Sequence, residues 1–249
     1  MRVASVSIAI PAYNEEQNLA KVVRDLAGQL TGHDYEIIIV NDGSKDGTGP
    51  LADRLAQEDP QHIRVIHHPT NLGGGAATRA GLFAAKKQYV MMVPGDGQFA
   101  VVDLPRFLEA IEHVDVVISR RRNRSGGLLR RFNSFCYRMV VCFILGIKVK
   151  HINWVKLYRS ELVQSLHLIS NSWLVDAEIL YWADRLGWRY TEFAVEELPR
   201  LAGKATGSNL FHMVAVVGEL WRFRKQLKQH QQTQPPVRVE SGMAQGDRI

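Results

Sequence analysis

The stretch Glu36-Ile37-Ile38-Ile39-Val40-Asn41-Asp42-Gly43-Ser44-Lys45-Asp46 decides the fold. Its apolar half runs unbroken, as a strand covered on both faces requires. Its polar half follows at once, so carboxylates, an amide and a glycine collect at the strand's carboxyl end. Four other runs in the first half of the chain repeat the pattern. Val3–Ile10 leads into Pro11-Ala12-Tyr13-Asn14-Glu15, and Ile63–His67 leads to Asn71-Leu72-Gly73-Gly74-Gly75. Tyr89–Val93 leads into Pro94-Gly95-Asp96-Gly97-Gln98, and Asp115–Ser119 into Arg120-Arg121-Arg122. In an open parallel sheet, ligands bind beyond the carboxyl ends of the strands. The acids, glycines and arginines gathered there point to a site that handles nucleotides and phosphates.

The intervals between strands carry helical spacing. Leu19, Val22, Val23, Leu26 and Leu30 recur on one face, and Leu51 and Leu55 mark a second helix ended near Pro60. Gly74–Lys87 predicts a third helix, opening on glycines. Asp103 is placed to cap a fourth, with Pro105 in its first turn. Strands alternating with helices predict a parallel sheet with right-handed crossovers. The second half is more helical. Helices are expected over 128–145, 160–168, 175–186 (closed by Gly187) and 208–230, with a strand over 189–196. The tail 231–249, with Pro235-Pro236 and few apolar residues, reads as disordered.

Of the 249 residues, 46% are hydrophobic and 22% charged, enough to bury a core without staples. Cys136 and Cys142 lie on different faces of one expected helix and read as reduced thiols. The chain enters a strand pattern directly, so no leader peptide is expected. The net charge is +6 with a pI near 9.4, and the excess is local. Residues 116–160 contain no Asp or Glu but include Arg120, Arg121, Arg122, Arg131, Arg138, Lys150 and Lys156. Such a block favours an anionic partner. Phe135–Ile147 and Leu210–Leu220 are apolar but too short to span a bilayer, and basic residues flank both. Each reads as a buried helix or as one lying on a membrane surface.

Asn41–Thr48, taken with Pro11–Glu16, resembles the opening of family 2 glycosyltransferases of the GT-A fold. The resemblance runs through residue 207. It is closest to the polyprenyl-phosphate sugar transferases of the dolichol-phosphate mannose synthase type. It implies a Rossmann-like α/β sandwich with a mostly parallel sheet over 1–207, extended by an amphipathic C-terminal helix over 208–230. It also implies an inverting transfer from a UDP- or GDP-linked sugar to a polyprenyl phosphate, with Mg²⁺ or Mn²⁺. On this reading Pro11, Ala12, Tyr13, Glu15, Asp42, Asn71, Gly73, Gly74, Asp96 and Arg200 bind the donor. Asp42 would accept from a ring N–H, and the glycines would offer backbone N–H groups to phosphate.

Pro94–Gln98 aligns with the family's metal motif, usually Asp-x-Asp-x-Gln, but Pro94 replaces the first aspartate. Asp96 and Gln98 remain as ligands, and substrate phosphates would complete the shell. His151 stands where relatives carry an aspartate, a candidate general base, five residues before Lys156. A phosphate acceptor is already anionic near neutral pH and needs no base, whereas a hydroxyl acceptor does. His151 is therefore read as a base, an anion ligand or a structural residue. Arg120, Arg131 and Ser134 match positions that hold the acceptor phosphate. Glu178, in Asp176-Ala177-Glu178, is expected to face the sugar or orient Lys156.

The resulting expectation is a peripheral enzyme at the cytoplasmic face of an anionic membrane. A homo-oligomer or a membrane-protein partner is left open. The rival readings are transfer to a soluble hydroxyl acceptor and an inactive nucleotide-sugar-binding relative. Nucleic-acid binding ranks last, because the basic block carries no reading motif.

Overall fold

The computed structural model describes residues 4–122, 139–147, 152, 154–172, 174–200 and 220–229. Strands β1 (Ser5–Ala12), β2 (Asp34–Asn41), β3 (Ile63–His67) and β4 (Tyr89–Met92) alternate with helices α1 (Leu19–Gln29), α2 (Thr48–Glu58) and α3 (Gly74–Ala84). A 3₁₀ turn (Val101–Asp103) and α4 (Leu104–Ala110) lead to β5 (Val116–Arg121). Helical residues 139–145 form α5. Strand β6 (Lys156–Arg159), α6 (Ser160–Gln164), α7 (Val175–Leu186) and β7 (Tyr190–Val195) follow. Residues 220–229 form α8.

The described strands make one sheet in the order β3-β2-β1-β4-β6-β5-β7. It is parallel except for β6, which runs antiparallel to both β4 and β5. Sequence reading did not anticipate β6, whose four residues are too few to show a period. Its direction matters for the site. An antiparallel strand starts at the edge where its neighbours end, so its first residue, Lys156, lies level with Met92 of β4.

Strand alternation divides the core in two. Ile37 and Ile39 of β2 join Val6, Ile8 and Ile10 of β1 beneath α1, α2 and α4. Ile38 and Val40 point the other way, to a second cluster with Leu82 of α3, Ile179 and Trp182 of α7, Val141 and Ile144 of α5, and Leu220, Phe223 and Leu227 of α8. Helix α3 lies close to β1 because of Gly81, where an added Cβ would come within 2.7 Å of the Ala9 methyl. That close approach explains a glycine inside a helix, where it costs about 1 kcal/mol relative to alanine.

Two local expectations are corrected. Helix α3 stops at Ala84, because Ala85 is extended (φ −58°, ψ 136°) and leads the chain into β4. Asp103 makes no side-chain cap on α4. The 3₁₀ turn before it supplies the helix entry, and the Asp103 carboxylate instead pairs with Arg106 at 2.8 Å. Helix α7 and its left-handed closure at Gly187 fall where the spacing placed them.

Candidate active site

The motifs at 11–16 and 41–48 fold into one unit. Asn14 takes a left-handed conformation (φ 55°) at the turn after β1. Its backbone N–H donates to Ser44 Oγ at 3.0 Å, and its Oδ1 accepts from the Lys45 N–H at 2.8 Å. The Glu15 N–H donates to Thr48 Oγ1 at 2.8 Å, and the Gly47 N–H to Glu16 Oε2 at 2.9 Å. Asn14, Ser44 and Thr48 are therefore scaffold residues of both motifs.

Asp42 then ties this unit to the glycine-rich loop. Its Oδ1 accepts from the Leu72 N–H at 2.9 Å and sits 2.8 Å from His68 Nδ1. Its Oδ2 accepts from the Gly73 N–H at 2.9 Å. Gly43 permits the approach: it has φ +65°, and a Cβ there would fall 2.4 Å from the Thr70 carbonyl carbon. Asp42 lines the cleft, but it is 2% exposed and its oxygens already accept from the protein. Three of its acceptor positions are thus spent on building the pocket wall, and the second lone pair of Oδ2 has no contact among these three. His68 had no sequence signal of its own.

The cleft has a volume of about 840 Å³ at the carboxyl edge of the sheet. Pro11, Ala12, Tyr13, Glu15, Asp42, Asn71, Gly73, Gly74, Asp96 and Arg200, the expected donor residues, all line it. Register explains the shape. Strands β1 and β2 run level to Ala12 and Asn41, whereas β4 ends opposite Ala9. The shortfall leaves space for the Pro94–Gln98 turn beside the β1 loop. There Arg200 Nη2 lies 3.2 Å from Glu15 Oε1 and 3.2 Å from Asp96 Oδ2. Burial pushes the Glu15 carboxyl above its ordinary pKa, and the nearby Asp96 charge pushes the same way.

Gln98 is not among the cleft-lining residues, and its amide nitrogen donates to Glu197 at 3.4 Å. The local donors suit a hard divalent cation: carboxylate oxygens lie on either side of a point where a cationic nitrogen already sits. Among the described residues no three His, Cys, Asp or Glu converge on one point. Substrate phosphates and water would have to complete any shell.

The far wall corrects two expectations. Lys156 does not reach the cleft. It is 1% exposed, with Nζ 3.1 Å from Asp176 Oδ2 and donating to the Trp154 carbonyl at 3.0 Å. Burial lowers its pKa, against the pull of Asp176. Glu178 is fully buried and accepts from the Ile169 and Ser170 N–H groups, each at 2.9 Å. Burial raises its pKa. Two residues along a helix turn about 200°, so Asp176 and Glu178 cannot share a face. Asp176 faces the cleft and holds Lys156, while Glu178 shapes the loop before α7. Arg79 of α3 braces that loop through the Ser170 carbonyl at 3.3 Å and Asn171 Oδ1 at 2.6 Å.

Arg120 is exposed and does not line the cleft; its neighbour Arg121 does. Alternation along β5 buries Ser119, turns Arg120 out and turns Arg121 in. The Arg121 guanidinium lies 3.8 Å from the centre of the Trp154 ring and 3.1 Å from Glu197. Arg131, Ser134 and His151 lie outside the described residues.

Comparison with known proteins accords with this geometry. A family model described as "Glycosyl transferase family 2" matches residues 7–180. Dodecaprenyl-phosphate galacturonate synthase of Rhizobium johnstonii is 29% identical over 170 residues, 66% of this chain but 50% of that protein. The chain therefore spans half the length of that relative. Polyprenol monophosphomannose synthase of Mycolicibacterium smegmatis is 31% identical over 242 residues, 88% of each chain. Among solved structures, glucosyl-3-phosphoglycerate synthase from Mycobacterium tuberculosis, in complex with Mn²⁺, UDP and glucosyl-3-phosphoglycerate, has a TM-score of 0.65 at 19% identity. That match covers 89% of this chain and 80% of the other. The likeness fixes the GT-A fold, and another complex of the same protein holds Mg²⁺ and UDP.

Proposed function

The chain belongs to glycosyl transferase family 2, and from that premise we propose that it transfers a sugar from a nucleotide donor to a polyprenyl phosphate at a membrane surface. The observation that carries the donor half is the single cleft, where the β1 turn, the Asp42-bound glycine loop and the Asp96–Arg200 pair meet. Pro11, Ala12 and Tyr13 wall the nucleoside. The glycine loop and Arg200 receive the diphosphate, since a guanidinium grips phosphate oxygens through paired donors.

The transfer inverts the anomeric carbon. An acceptor phosphate oxygen attacks, the bond from that carbon to the diphosphate oxygen breaks, and the nucleoside diphosphate leaves with the electron pair. An anionic acceptor needs no proton removed, so His151 need not serve as a base. Asp176, held by Lys156, limits the cleft on the sugar side. Asp96 would hold Mg²⁺ or Mn²⁺, whose chemical contribution is to neutralise the charge gathering on the leaving group.

The acceptor half is supported by the named activities of the relatives and by the acid-free basic block. Arg121 joins Arg131 and Ser134 as a candidate for the acceptor phosphate, in place of Arg120. We place the protein as a peripheral enzyme at the cytoplasmic face. No helix of the described residues is long and apolar enough to cross a membrane.

The test is a screen of radiolabelled UDP- and GDP-sugars with bacterial lipid extract and Mg²⁺ or Mn²⁺. Label is expected in the organic phase, and Asp96→Ala should remove most of it. Product confined to water would replace the lipid acceptor with a soluble one. No product with any donor, alongside nucleotide binding, would leave an inactive relative.

A further inference from the structure

Arg200 is held to Asp96 by the architecture around it. It follows β7 on a segment joined to the Pro94–Gln98 turn at three further points. Phe99 and Glu197 pair across an isolated antiparallel bridge. The Leu198 N–H donates to the Gln98 carbonyl at 2.9 Å. Gln98 Nε2 donates to Glu197 Oε1 at 3.4 Å, and Arg121 anchors the same glutamate at 3.1 Å. The loop carrying the arginine and the turn carrying the aspartate are therefore one assembly.

Within it, one nitrogen of Arg200 stands 3.2 Å from a carboxylate oxygen on each side. The side chains of Arg200, Glu15 and Asp96 are 25%, 12% and 14% exposed, so water screens the charges only partly. Position 94 offers no side-chain oxygen, because it is proline. A divalent ion approaching Asp96 meets a guanidinium already on its ligand, and two cations at that separation repel.

We propose that Arg200 is the resident counter-cation of this cleft, and that it competes with the divalent ion for Asp96. The idea rests on the nucleotide-sugar reading. Without donor, Arg200 neutralises Glu15 and Asp96. When the diphosphate enters with its cation, Arg200 leaves the carboxylates and takes the phosphate oxygens. No covalent bond changes; one set of ion pairs replaces another. The arginine thereby couples metal binding to donor binding: the ion binds weakly alone and tightly with the diphosphate.

The experiment is a titration of the full chain with Mn²⁺ alone, reading free Mn²⁺ by electron paramagnetic resonance. Arg200→Gln should bind Mn²⁺ about tenfold more tightly than wild type, because a competing positive charge is gone. Arg200→Lys, which keeps the charge, should stay near wild type and guards against a folding defect in the first variant. UDP or GDP binding in the presence of EDTA, measured by calorimetry, should weaken in Arg200→Gln. Unchanged or weaker Mn²⁺ binding by Arg200→Gln would overturn the proposal. Failure of the nucleotide-sugar reading would show elsewhere, as no binding of UDP or GDP to wild type even with Mn²⁺.

Discussion

Arg120 and Arg121 differ by one position and by the whole of their environment. The pleat turns the first to solvent and the second over Trp154 into the cleft. If an acceptor phosphate binds on this wall, Arg121 should hold it. Arg121→Ala would remove the cationic partner 3.1 Å from Glu197, whose side chain is fully buried, and would test stability as much as binding. Arg121→Lys keeps that charge and loses the planar fork. It should raise the acceptor KM roughly tenfold, as expected for a lost charge-assisted hydrogen bond of about 1.5 kcal/mol. Arg120→Ala should change it by less than about twofold, like other substitutions at exposed sites. Turnover at saturating donor with varied acceptor measures both, and a larger effect at Arg120 would reverse the assignment. This distinction was not legible in a run of three arginines. It needed the strand's phase, which Ser119 sets by being buried.

At the scale of elements, Glu36 shows how the sheet holds the cleft's frame. From β2 its carboxylate accepts from Ser7 Oγ of β1 at 2.6 Å, Arg64 Nε of β3 at 2.8 Å, and the Lys86 N–H that leads into β4 at 2.6 Å. Burial alone would raise its pKa, but the hydrogen bonds from Arg64, Ser7 and Lys86 outweigh burial and hold it below the ordinary carboxylate value. A carboxylate with a depressed folded pKa stabilises the fold above its unfolded pKa. That stability is lost as pH falls through the folded value. Glu36→Gln turns an amide N–H₂ toward the Arg64 donors, and should cost roughly 2 kcal/mol at pH 7, near the value of a hydrogen bond to a charged group. The gap from wild type should close in acid, as pH falls through the lowered value of Glu36. Urea denaturation at both pH values reads this, and an equal gap at both would mean the charge of Glu36 contributes nothing. The strands that Glu36 joins were readable from their apolar runs, whereas the node was not, because its partners come from three separated segments.

At the scale of the molecule, the outward faces of α5 and α8 carry side chains that suit the proposed membrane contact. The two helices share one core through Val141, Ile144, Leu220, Phe223 and Leu227. They leave Phe143 82% and Trp221 54% exposed, with Arg222, Lys225 and Lys228 on the outer face of α8. Aromatic rings beside cations suit the boundary between acyl chains and anionic headgroups. The full chain should sediment with vesicles of phosphatidylglycerol but far less with phosphatidylcholine. High salt should release it, since charge attraction reaches only about 8–10 Å at physiological ionic strength. Phe143→Ser combined with Trp221→Ser should weaken binding at every salt concentration. Equal binding to both lipids, or none to either, would remove the peripheral arrangement.

The sequence by itself determined the strand–helix alternation, the edge of the sheet that carries the site, and the loops that line one wall of the cleft. These are local properties: period, turn chemistry and the residues that follow each strand. Tertiary structure decided which side chains the cleft uses. Strand phase chose Arg121 over Arg120, helix rotation chose Asp176 over Glu178, and burial made Asp42 a wall and Lys156 a support. The reversed strand β6 and the placement of Arg200 on Asp96 depend on contacts between segments far apart in the chain. Local propensity does not encode such contacts, and only the packed sheet brings them together.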